Sequence, residues 1–97
     1  MAKLSEILNL NKTKASINKI DLFLESSEKN GYEYIMALCF KAEIIHELGN
    51  TNEALKLIYP YTADVAKMEN RSVIALYNAI IKKLKMNNII IFILKNK

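Results

Sequence analysis

The chain has 97 residues, 52% of them hydrophobic and 25% charged, with two Gly, one Pro, one Cys and one His. That length allows one small domain, and the apolar share argues against disorder. So few turn-forming residues argue against a sandwich or barrel of many short strands. A single Cys excludes an intramolecular disulfide framework, and with one His it excludes an ordinary four-ligand zinc site. The unbroken apolar run Ile89–Leu94 is six residues against the roughly 20 needed to span a bilayer. The first residues, Met1-Ala2-Lys3-Leu4-Ser5-Glu6, lack the apolar core of a signal peptide. The expectation is a soluble, cytoplasmic, all-α domain without cofactor or metal.

The net charge of +4 comes from scattered lysines, with Arg71 the single arginine. Nucleic-acid readers cluster their basic residues on one face and use Arg for bidentate base contacts. Nucleic acid is therefore not the expected partner, and Lys82, Lys83 and Lys85 read as a solvated helix end. Non-specific attraction of lysines to phosphate keeps a nucleic-acid-associated regulator as a third reading.

In chain order, Leu4–Leu10 reads as a short helix, with Leu4, Ile7 and Leu8 clasping the next element. Thr13–Lys29 carries an apolar stripe of Ile17, Ile20, Phe23 and Leu24. Asn30-Gly31 is expected to end that helix, with Gly31 in the left-handed C-cap conformation. Tyr34–Leu48 follows, with Leu38, Ala42, Ile45 and Leu48 on one face and Ile35, Phe40 and Ile44 widening it. A helix apolar around more than half its circumference is one packed between neighbours. Gly49-Asn50 ends it, and Asn50 or Thr51 can cap a helix bearing Ala54, Leu55 and Ile58.

Pro60 forbids a normal helical bond and marks an end or kink at Tyr59. The Tyr59-Pro60-Tyr61 cluster reads as a kink whose rings fill the junction, with a sticky aromatic edge as the alternative. Tyr61–Glu69 continues at a new angle, and Asn70 is a break. Ser72–Met86 forms a further helix through Val73, Leu76, Tyr77, Ile80 and Leu84, closed by Asn87-Asn88.

A repeat emerges from the breaks, because Gly49-Asn50 and Asn87-Asn88 lie 38 residues apart. The same shift pairs Ile35 with Val73, Ala37 with Ala75, Leu38 with Leu76 and Leu48 with Met86. Backwards, it pairs Leu55 with Ile17, Ile58 with Ile20 and Tyr61 with Phe23. Ile45 falls on Lys83, so the repeat is degenerate. The single domain 1–97 divides into first helices (1–30), a clear unit (31–69) and a partial unit with an apolar tail (70–97).

The stretch from Ala37 to Ile58 resembles a tetratricopeptide repeat (TPR). It has a small residue mid-helix at Ala42, a Leu48-Gly49 turn, and Glu53-Ala54-Leu55 opening the second helix. Lys41 and Tyr61 depart from the family pattern, and Pro60 falls early. A spacing of 38 rather than about 34 is similar to bacterial peptide-sensing regulators of the Rap and PlcR type. The resemblance implies antiparallel helical hairpins, about five helices in all, forming a superhelix with a concave groove for a peptide or protein partner. It places Met36, Cys39, Glu43 and His46 on the groove, with Tyr77 following Cys39 by the 38-residue shift.

Catalytic readings fare poorly. Cys39 and His46 on one helix lie about 10.5 Å apart along its axis, too far for a thiol–imidazole pair. Cys39 reads instead as a small apolar packing residue. Glu43-Ile44-Ile45-His46 has the spacing of di-iron bundles, which require two such motifs and two further Glu, so only a symmetric dimer completes the set. The serines lack a triad, and no phosphate-binding loop is present. An enzyme is not expected.

The tail Ile89-Ile90-Ile91-Phe92-Ile93-Leu94 is apolar all round. Three accounts compete: a closing helix, a contact between copies in a homo-oligomer, or a piece of a longer repeat array. A 97-residue chain holds about two and a half hairpins, fewer than the three repeats stability usually requires. The expectation is a binding module that does not work alone, with homo-oligomerisation through the tail as the second reading.

Overall fold

The structure, a computed structural model, describes residues 3–29 and 31–95, with side chains described as far as Met86. Every regular element among the described residues is helical: α1 (Leu4–Leu8), α2 (Lys14–Ser26), α3 (Tyr32–Glu47), α4 (Thr51–Ile58), a 3₁₀ turn (Tyr59–Tyr61), α5 (Thr62–Met68) and α6 (Arg71–Lys95). Counting α4, the 3₁₀ turn and α5 as one bent element leaves five helical rods. Among the described residues, no helix is long and apolar enough to cross a membrane.

α3 is the hub and packs against α1, α2, α4 and α6. Its composition explains why. Ile35, Leu38, Cys39 and Ala42 join Ala54, Ile58, Val65, Val73, Tyr77, Ile80 and Leu84 in the larger core. Ala37 and Ile44, on the other side of α3, join Ile7, Ile20 and Phe23 in a second core. One helix thus serves two apolar layers. Ala37, Ala42 and Ala54 are wholly buried, and their short side chains set how closely the helices approach.

The ends of the helices follow local chemistry. Asn50 N–H donates to the Ile45 carbonyl and Gly49 N–H to the His46 carbonyl, the paired bonds of a Schellman motif. Gly49 takes φ +93°, a conformation that costs any residue with a Cβ. This three-residue connection packs α4 back against α3. Asn70 is more than a break. Its Oδ1 accepts the Ser72 and Val73 amides at 3.1 and 3.2 Å, capping the start of α6.

Two expectations about boundaries are corrected. Gly31 has φ −74° and is the N-cap of α3 rather than a left-handed stop for α2. α2 ends at Ser26, where the Ser26 and Ser27 hydroxyls donate to the Phe23 carbonyl. Such back-bonding competes with helical pairing, so two adjacent serines stop a helix without glycine. Asn87-Asn88 do not close α6 either, because its backbone continues to Lys95. Neither residue locks φ as Pro does, and Asn in a helix interior is only mildly unfavourable.

Pro60 behaves as its ring dictates. The chain tightens into the 3₁₀ turn, and the Thr62 amide bonds the Tyr59 carbonyl. The rings at this bend divide their roles. Tyr61 packs near Tyr34 at 6.1 Å between centroids, whereas Tyr59 is exposed with Lys85 Nζ 5.2 Å from its ring centre.

An added Cβ at Gly49 meets nothing within 4 Å, so its substitution tests backbone strain alone. Gly49→Ala is expected to lower unfolding free energy by about 1–2 kcal/mol with no change in helix content, measured by urea unfolding followed by circular dichroism.

Candidate functional site

The expected groove residues do not come together as an open surface. Cys39 is 1% exposed and Tyr77 is 3% exposed, both in the larger core. Cys39 is therefore a packing residue. Burial pushes its thiol up to about 12 from the ordinary 9.0. Met36 is half-buried and leans on the same core.

Tyr77 has a structural task that spacing could not reveal. Its hydroxyl lies 2.5 Å from Thr62 Oγ1 and 3.2 Å from the Ile58 carbonyl oxygen. The Thr62 hydroxyl donates to the Tyr59 carbonyl at 2.8 Å, so the Tyr77 proton is left for the remaining acceptors. A side chain from α6 thereby satisfies backbone polarity at the proline bend. Burial raises the pKa of this phenol above its ordinary value.

Glu43 and His46 are half-buried but engaged within the chain. Glu43 pairs with Lys12 from the α1–α2 connection, which holds the Lys12 ammonium above the usual lysine range. His46 Nδ1 lies 2.8 Å from Thr51 Oγ1, across the turn between α3 and α4. Lys41, out of place in the repeat pattern, pairs with Asp21 of α2 at 2.6 Å. Glu47 meets Lys83 of α6 at 3.4 Å. Lys41, Glu43, His46 and Glu47 of α3 are thus ties to its surroundings, each exposed ion pair contributing about 0–1 kcal/mol.

An open concavity lies elsewhere. Between α1 and α2 is a cavity of about 480 Å³ walled by Ile7, Leu10, Leu22 and Phe23, with Glu6 and Lys19 at its edge. Leu22 is 66% exposed, the most exposed of the large apolar side chains described. A second, more polar hollow of about 270 Å³ shares Phe23 and Ser26 with the first and adds Glu28, Tyr32 and Glu33. Together they form a trough along α2 that is apolar at one end and acidic at the other. The signal was present in the sequence. Lys19, Leu22, Phe23 and Ser26 sit at i, i+3, i+4 and i+7, a second face of α2, and Leu22 is about 200° around the helix from Ile20.

The expected oligomer contact, Ile89, Ile90, Ile91, Phe92, Ile93 and Leu94, lies on the final turns of α6, and its side chains are outside the described residues. Among the described residues, no group of three or more His, Cys, Asp or Glu is placed to hold a metal ion.

No family model, curated protein or solved structure matches this chain.

Two outcomes test these assignments. Tyr77→Phe deletes one buried hydroxyl and is expected to cost about 1–3 kcal/mol in chemical denaturation. For Cys39, the unfolded thiol ionises above about pH 9 while the folded thiol keeps its proton up to about pH 12. Stability therefore falls as pH rises through that window, and Cys39→Ala is expected to remove this share of the slope in unfolding measured between pH 8 and 11.

Proposed function

We propose that this chain is a non-catalytic interaction module that binds a protein or peptide through the trough along α2. The observation that carries this reading is Leu22. It stands 66% exposed beside an apolar cavity of about 480 Å³. Large apolar side chains grouped at a concave surface mark binding sites more often than chance placement does. The TPR-like reading is supported by the wholly buried Ala42 and Ala54 where α3 meets α4, and by Gly49 at the turn between them. In this proposal the binding face shifts from α3 to the α1–α2 side, because Cys39 and Tyr77 are packed in the core and Glu43 and His46 are engaged within the chain. A cytoplasmic setting, with one unpaired and buried Cys39, belongs to the same proposal.

A second reading, a homo-oligomeric structural or regulatory domain, has its own observation. Lys83 of α6 meets Glu47, the last residue of α3. α6 continues to Lys95, twelve residues past Lys83, about 18 Å along its own axis. Those turns carry the apolar run Ile89–Leu94. A helix longer than its neighbours and apolar at its far end is suited to a contact between copies.

The primary reading is tested by affinity capture with the full chain and with Leu22→Asp. A set of proteins retained by the unaltered chain and lost with Leu22→Asp, at equal helix content, is the expected result. Identical capture by both excludes the trough.

A further inference from the structure

The trough and the far end of α6 have complementary chemistry. Along α2 the trough passes from the apolar walls of Ile7, Leu10, Leu22 and Phe23 to an acidic end at Glu28 and Glu33. Glu6 and Lys19 at the apolar end offset each other, so the net charge of the trough is concentrated at Glu28 and Glu33. A fitting ligand is a short apolar segment followed by positive charge. The chain itself contains such a segment: six apolar residues, Ile89–Leu94, then Lys95-Asn96-Lys97. It lies on the last of the twelve residues by which α6 continues past Lys83.

We infer that the trough on one copy of this chain receives the Ile89–Leu94 end of α6 from a second copy. Resting on the trough as binding face, the inference names its occupant. The contact is heterologous, joining two different surfaces of the same chain. Each copy brings a seat and a plug, and the seat is incomplete without the neighbour's plug. Apolar burial supplies the attraction. Lys95 alongside Glu28 and Glu33 sets the direction of entry and makes association weaken with salt.

A heterologous contact has a signature that a symmetric pairing of α6 ends lacks. Leu22→Asp spoils the seat and leaves the plug, whereas Phe92→Asp spoils the plug and leaves the seat. Sedimentation of the full chain over rising concentration is expected to show species heavier than the 11.1 kDa monomer, with each variant alone monomeric. An equimolar mixture of the two variants is expected to regain the heavier species, because one intact seat meets one intact plug. Circular dichroism checks the fold of each variant. If an Asp variant loses helix, Leu22→Ala and Phe92→Ala replace the pair, each expected to weaken association by about tenfold, the loss of a buried apolar side chain at an interface.

A monomeric unaltered chain at every concentration overturns the inference. So does undiminished association of Leu22→Asp, which assigns the contact to α6 ends alone, or a mixture that stays monomeric. A monomeric chain that still captures a protein through Leu22 overturns this inference and leaves the binding role of the trough standing.

Discussion

α3 is buried on two sides, and the rest of the molecule is arranged by that constraint. A helix with Ile35, Leu38, Cys39 and Ala42 on one side and Ala37 and Ile44 on the other cannot lie on a surface. It has to be flanked, so α1 and α2 cover one side while α4 and α6 cover the other. Few positions on α3 remain for polar residues, and those described as ion-paired all face a neighbouring element. Asp21, Lys12 and Lys83 reach Lys41, Glu43 and Glu47 respectively. The energy comes from the apolar layers, and the pairs orient what those layers hold together.

The burial of α3 also explains where binding can occur. Its mid-helix positions are used by the cores, which leaves the outer helices to present free surface. α1 is only five residues long, with Ile7 as its buried residue. It covers part of α2 and leaves Leu22 and the edge of Phe23 beside an open cavity. Among the described residues, positive φ is confined to two turns, Gly49 at φ +93° and Glu69 at φ +55°. Both are helix ends rather than ligand-facing positions. The glycine relieves the cost of that conformation at its turn, and the glutamate bears it.

Much of the fold was legible in the sequence because helical periodicity is a local property. The Ile17, Ile20, Phe23 and Leu24 stripe, the apolar breadth of Tyr34–Leu48, the bend at Pro60 and the break at Asn70 all depend on residues within a few positions of one another. The boundaries that failed are those decided by competition. Gly31 offered a familiar stop, but the Ser26 and Ser27 hydroxyls reached the Phe23 carbonyl first. Asn87-Asn88 offered another, but a helix already nucleated over sixteen residues propagates through mild residues at little cost. The candidate site was less legible, since a repeat pattern assigns faces by analogy. Residue type already marked Cys39 as a packing residue against that analogy, and the packing closes over both Cys39 and Tyr77.

The sequence by itself determined that the chain is all-helical, that its central helix is sandwiched, and where its principal turns fall, because these follow from side-chain spacing and backbone stereochemistry. Tertiary structure decided which apolar residues are core and which are surface. Leu22 and Ile20 are the same kind of side chain two positions apart, yet one is 66% exposed and the other wholly buried. That difference depends on how far the short α1 extends across α2. It decided as well that Tyr77 serves the carbonyl at the proline bend rather than a ligand. An opening or a buried acceptor exists only once separate segments meet, and no local pattern encodes how much of a face its neighbour will cover.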